Sequence, residues 1–73
     1  MIIPLGIYKH SKKGTLYSVI GNAKHSETLE DIVVYEAQYE NPVSKLWVRP
    51  AHMFLEEVEV NGQKVPRYAF VSK

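Results

Sequence analysis

Cysteine is absent from the 73 residues of this chain, and its absence removes a whole set of chemistries. Without thiols there is no disulfide framework, no thiolate zinc or iron–sulfur centre and no cysteine nucleophile. Long apolar runs are missing as well. Nothing approaches the roughly 18 residues that span a bilayer, so no membrane partner is expected. The opening Met1-Ile2-Ile3-Pro4-Leu5 has no basic flank and is too short for a signal peptide, which leaves a cytoplasmic protein as the expectation. Neither sign of charge dominates. Nine Lys and Arg stand against eight Asp and Glu, for a net charge of +1, whereas nucleic-acid binders normally carry a clear basic surplus. A glycine-rich phosphate loop, a His-Glu-x-x-His pair and a Gly-x-Ser-x-Gly elbow are all lacking.

The residues that are present belong to a globular protein: 45% hydrophobic, 11% aromatic and 23% charged. The length allows one domain, residues 1–73 with a core over about 6–71. So short a chain buries only about 60% of the surface its unfolded form exposes, and its core has to be efficient.

Strands and turns account for almost every residue. Tyr8 to His10 ends a short strand, and Ser11-Lys12-Lys13-Gly14 is a polar turn. Leu16 to Ala23 is rich in β-branched and aromatic residues and is interrupted by Gly21, a position for a bulge or bend. His25 to Asp31 reads as a loop. Ile32 to Tyr39 is the clearest strand, because Val33, Tyr35, Ala37 and Tyr39 alternate with Glu36 and Gln38. Leu46 to Arg49 is short and is stopped by Pro50, which opens a single helical or 3-10 turn through Phe54. Leu55 to Val60, the turn signal Asn61-Gly62 and a return over Lys64 to Val71 complete the chain. Five or six short strands with one helical turn leave too little chain for a sandwich, and a small barrel hides sheet edges. The expected fold is therefore all-β, an SH3-like barrel. Val19, Val33, Tyr35, Ala37, Val48, Phe54, Val58 and Val60 are the expected core.

Several motifs carry a resemblance. Gly6-x-Tyr8-x-His10, Gly14-x-Leu16-Tyr17-x-Val19 and Ala23-x-His25-Ser26-Glu27-Thr28-Leu29-Glu30 come first. Val33-Val34-Tyr35, Leu46-Trp47-Val48-Arg49-Pro50, Met53-Phe54 and Val65-Pro66-Arg67 follow. Together they resemble a bacterial family of unknown function, numbered 1653 among such domains, from Gly6 to Phe70. The resemblance implies an SH3-like fold and supplies no reaction. One departure is Ser11, where members of that family commonly place an aromatic residue. If that aromatic lines a surface site in relatives, the site is altered here.

Three constellations could carry function. The first is the loop with His25, Ser26, Glu27 and Glu30, which could converge with Arg49 or His10 on an anion or small polar ligand. Its hydroxyls could equally satisfy nearby backbone amides. The second is aromatic: Trp47 shares a strand face with Arg49, and with Tyr17 the pair offers ring area beside a planar cation. The third is basic, Lys9, Lys12 and Lys13, suited to phosphates at a hairpin tip. The leading expectation is a non-enzymatic module that binds a peptide, protein partner or small ligand. It would use Trp47, Arg49, Tyr17, His10 and the His25 to Glu30 loop. RNA or DNA binding through Lys9, Lys12 and Lys13 is an alternative. Hydrolytic or metal-assisted chemistry at His25, Glu27 and Glu30 is another, although Ser26 beside His25 is no triad, since neighbours on an extended chain point apart. No cofactor is expected, and the chain is expected to be a monomer or weak homodimer.

Overall fold

The computed structural model describes residues 1–73. Seven strands and one helical turn follow one another. They are β1 (Gly6–His10), β2 (Leu16–Lys24), β3 (Asp31–Ala37), β4 (Leu46–Pro50), α1 (Ala51–Phe54), β5 (Glu57–Val60), β6 (Gln63–Pro66) and β7 (Tyr68–Ser72). Five of the strands form one antiparallel sheet in the order β4-β3-β2-β1-β7, while β5 and β6 pair only with each other. The protein is all-β, as the alternation and turn residues predicted.

The expected barrel closure is not made by the backbone. Strands β4 and β7 stand at opposite edges of the sheet, and no ladder joins them. The sheet nevertheless curls strongly. Three strand spacings separate β3 from β7, about 14 Å in a flat sheet. Yet the rings of Tyr35 on β3 and Tyr68 on β7 lie 5.9 Å apart. Across the full width, the Arg49 guanidinium of β4 sits 5.7 Å from the Tyr68 ring. Side chains, not hydrogen-bonded strands, bring the two edges together.

The concave face of that curl is the core. Phe54 of α1 lies at its centre, 1% exposed, stacked on Tyr68 at 4.2 Å and edge-on to Tyr8 at 5.3 Å. Val19, Val33, Tyr35 and Ala37 are buried beside it, as expected. Alternation explains why: Val33, Tyr35 and Ala37 are two apart on β3 and share its inner face. Pro50 precedes the turn, and its extended conformation (φ −54°, ψ 136°) directs Ala51 and Phe54 inward.

Three of the expected core residues are placed differently. Val48 is 64% exposed, because the register Tyr35↔Trp47 and Val33↔Arg49 puts Trp47 and Arg49 on the inner face of β4. Leu46 and Val48 pair instead with Glu36 and Val34 on the convex side. Val58 and Val60 belong to the separate β5–β6 hairpin and are only half-buried. The core instead takes in Ile3, Tyr8, Tyr17, Ala51 and Tyr68, together with the ring of His10. Ile3 is held there by Asn22, whose side chain imitates a neighbouring strand. The Ile3 amide donates to Asn22 Oδ1 at 2.9 Å, and Asn22 Nδ2 donates to the Ile3 carbonyl at 3.0 Å.

The single return strand expected over Lys64 to Val71 is broken at Arg67. Its amide donates to the Glu56 carbonyl, and its carbonyl accepts from the Ser11 amide, so the chain leaves the hairpin there and joins β1. Gly21 does accompany a bulge: the β2–β3 register shifts between Val19 and Gly21, with Ile20 as the extra residue.

Candidate functional site

The aromatic core is not uniform along the curl. Ile3, Val19 and Val33 give it a fully apolar part. Elsewhere it turns polar, because Tyr17, Tyr35 and Tyr68 direct hydroxyls toward the space between the edge strands. A cavity of about 170 Å³ opens there. Buried Tyr17, Tyr35 and Tyr68 line its inner part. Trp47 and Arg49 of β4, Tyr39 and Asn41 beyond β3, and Lys13 of the β1–β2 turn complete it. The opening lies where the sheet fails to close.

Each polar group in this cleft has a definite place. Thr15 Oγ1 donates to the Tyr17 hydroxyl at 3.0 Å, which lies 3.1 Å from the Tyr39 hydroxyl. Asn41 Nδ2 donates to the same Tyr39 oxygen at 3.1 Å, while Asn41 Oδ1 accepts from the Val43 amide and so holds the loop. Burial pushes the Tyr17 phenol above its ordinary value, whereas the hydrogen bond from Tyr17 draws the Tyr39 phenol down. Burial raises the Tyr68 phenol well above the usual tyrosine range. Arg49 is steered by Nε, which donates to the Tyr35 hydroxyl at 3.4 Å, and by the Tyr68 ring beneath its guanidinium. That hydrogen bond raises the Arg49 pKa still further, so the cation is permanent. Trp47 is half-buried against the core, and its indole N–H donates to the Ser44 carbonyl at 3.0 Å.

Trp47, Arg49 and Tyr17, singled out from sequence, therefore meet in one cleft. The other residues expected to share that binding surface do not join them. His10 is buried behind it, edge-on to Tyr68 at 5.0 Å, and its Nδ1 accepts the amides of Lys12 and Lys13 at 3.2 Å each. Its pKa is lowered by burial, and further by the charges of Lys13, Arg67, Arg49 and Lys12. His25, Ser26, Glu27 and Glu30 are exposed around the β2–β3 turn. The register from Tyr17↔Ala37 to Lys24↔Asp31 puts that turn more than about 20 Å from the cleft. There His25 Nδ1 accepts the amides of Glu27 and Thr28, and Glu30 lies 3.5 Å from His52. Nowhere do three or more His, Asp or Glu side chains gather closely enough to hold a metal ion. The three lysines are also divided. Lys13 lines the cleft, while Lys9 lies on the convex side, against a groove of about 430 Å³ under the β5–β6 hairpin. Ser11, the departure from the resembling family, faces that groove too and donates its hydroxyl to the Pro66 carbonyl.

Tyr39, Asn41, Tyr68 and the hydroxyl role of Tyr35 were not among the residues picked from sequence. Tyr35 and Tyr39 share a parity on the same extended segment, and that pattern was available. Tyr68 gave no signal, because its partnership with β4 arises only from the curl.

Fold and site together define a small all-β domain with an open, curled sheet and a tyrosine-lined cleft at the gap between its edges. Residues 6–70 match the family described as Protein of unknown function (DUF1653). The chain belongs to that family. A solved structure of a family member from Bordetella bronchiseptica is similar throughout, with 31% identity and a TM-score of 0.89. The likeness covers 96% of this chain and 88% of that one. A search of curated proteins finds no match.

Proposed function

We propose that this domain is a non-enzymatic binding module whose contact surface is the tyrosine cleft, with Trp47, Arg49 and Tyr17 at its centre. The carrying observation is the convergence of five aromatic side chains with an anchored arginine in a single concavity. Rings supply contact area at little conformational cost, and a guanidinium fixed in place supplies direction. The cleft holds no carboxylate or imidazole that could act as a general base, which favours binding over turnover. The partner is a peptide, a protein side chain or a small ligand that inserts one group. An SH3-like ancestry for the curled sheet fits the same picture, with Arg49 and Tyr68 meeting across the unclosed edges.

Trp47 is the chain's single tryptophan, so its fluorescence reports on the cleft. Titration with a fragment and peptide collection is expected to shift that emission and to move the amide resonances of Tyr39 and Asn41. Ligands that bind elsewhere, leaving Trp47, Tyr39 and Asn41 unchanged, would refute the assignment. Nucleic-acid binding through Lys9, Lys12 and Lys13 has weaker support, since Lys9 and Lys13 line different concavities. It would require a steep loss of affinity with salt on single-stranded oligonucleotides.

A further inference from the structure

The charges in the cleft do not balance. Lys13 and Arg49 both line it, no Asp or Glu does, and neither cation makes an ion pair anywhere in the molecule. The contrast with Arg67 is direct, because that arginine is matched by Glu56 at 3.3 Å. Arg49 is half-buried, and its one hydrogen bond uses Nε. Neither terminal nitrogen has a carboxylate partner. Withdrawing a guanidinium from water costs free energy unless an anion compensates. Nothing in this chain does so.

The hydroxyl chain adds a third donor. Thr15 donates to Tyr17, which leaves the Tyr17 proton free to donate to Tyr39. Asn41 donates to Tyr39 as well. With Tyr17 as the donor of that pair, Tyr39 accepts twice and its own O–H remains to be given. Hydrogen bonds arranged in series polarise one another and strengthen the terminal donor. The Arg49 fork, the Lys13 ammonium and the Tyr39 hydroxyl are three donor groups on one small space walled by flat rings.

We propose that the cleft is a receptor for a single oxyanion, carboxylate or phosphate, carried on a planar unsaturated body. Trp47 and Tyr39, the two aromatic side chains of the cleft that are not buried, meet the body, and Arg49 takes the anion. A volume of about 170 Å³ is the liquid volume of five or six waters. It holds one acid-bearing ring and is well below the roughly 300 Å³ at which drug-sized sites begin. This assignment rests on the binding role proposed above and names the chemistry of that same site.

The test uses benzoate, phenyl phosphate and the neutral isostere benzamide, read by Trp47 fluorescence and by amide shifts of Tyr39 and Asn41. The anions are expected to bind at least about tenfold more tightly than benzamide, and more weakly as salt rises from about 50 to 500 mM. The ratio of benzoate to phenyl phosphate distinguishes a carboxylate source from a phosphate source. Arg49→Met is expected to lower anion affinity about tenfold, and Tyr39→Phe and Lys13→Gln by smaller factors. Because Arg49→Met also removes the contact with Tyr68, the exposed Lys13→Gln decides the matter if that variant fails to fold. Benzamide binding as tightly as benzoate would overturn the anion assignment and leave the binding role standing. Silence of the cleft toward all three probes also overturns it, and the fragment and peptide titration then judges the binding role by itself.

Discussion

Two hairpin turns of this protein solve one geometric problem with different residues. After His10 and after His25 the chain runs His-Ser-x-x, and each histidine Nδ1 accepts the amides two and three residues on. Each turn then needs a left-handed residue to rejoin the ladder. The first uses Gly14 at φ +74°, the second Leu29 at φ +62°. A left-handed leucine costs roughly 1–2 kcal/mol through its Cβ, and Leu29 is 68% exposed, so it recovers little by burial. Leu29→Gly is therefore expected to raise stability by about 0.5–1 kcal/mol after the larger unfolded-state entropy of glycine is subtracted. A urea midpoint that stays put or falls would contradict this. His10 carries a second residue-scale consequence. Its neutral Nδ1 is the acceptor in the first turn, and burial lowers its pKa below the ordinary 6.5. The unfolded chain then binds the proton more readily than the folded one, so this stability is complete above about pH 6.5 and is lost as pH falls toward the folded pKa. Melting curves between about pH 7 and 5 should show that decline, reduced in His10→Gln.

At the scale of elements, the sheet and the hairpin differ in kind. Strands β2 and β3 are central, paired on both sides and buried on their inner face. The β5–β6 hairpin pairs only with itself and is joined to the rest near its base, by Arg67 bonded to Glu56 and to Ser11. Isolated two-stranded hairpins are marginal in water. Native-state hydrogen exchange is expected to show Val58 and Val65 opening at a lower free energy than Val19 and Val33. Equal protection in the two regions would mean the hairpin unfolds only with the whole. The strands themselves were largely legible in the sequence, since alternation in β3, the Asn61-Gly62 turn and the Pro50 stop are local signals. The parity of β4 was not. Leu46, Trp47, Val48 and Arg49 offer an apolar residue on either face, and only the register with β3 selects Trp47 and Arg49 for the inside.

For the whole molecule, the core depends on one residue of the helical turn. Phe54 touches Tyr8, Tyr35 and Tyr68 and so links β1, β3 and β7. Replacing a buried phenylalanine by alanine costs about 3–5 kcal/mol, comparable with the total stability a core of this size supplies. Phe54→Ala is expected to be largely unfolded at 25 °C by circular dichroism, whereas Leu55→Ala, at the next position in the chain but 50% exposed, should remain folded. Two of the rings that Phe54 touches, Tyr35 and Tyr68, also line the cleft, so a partly folded Phe54 variant should lose the Trp47 response together with its near-ultraviolet signal.

The sequence alone determined the all-β class, most strand positions and the alternation that sets Trp47 and Arg49 on one face of a strand. Those properties follow from spacing over a few residues, which the chain carries wherever it goes. The tertiary structure alone decided that the sheet stops short of closing and that the gap becomes a cleft. It also decided that Tyr68 lies under Arg49, while the His25 to Glu30 loop is left at the far end. Residues 19 positions apart meet there because the sheet curls, and curvature is a property of many pairings acting together. The missing cysteines excluded thiol chemistry from the start. The fold shows what occupies that place: a set of tyrosine hydroxyls beside two cations that no carboxylate of the chain neutralises.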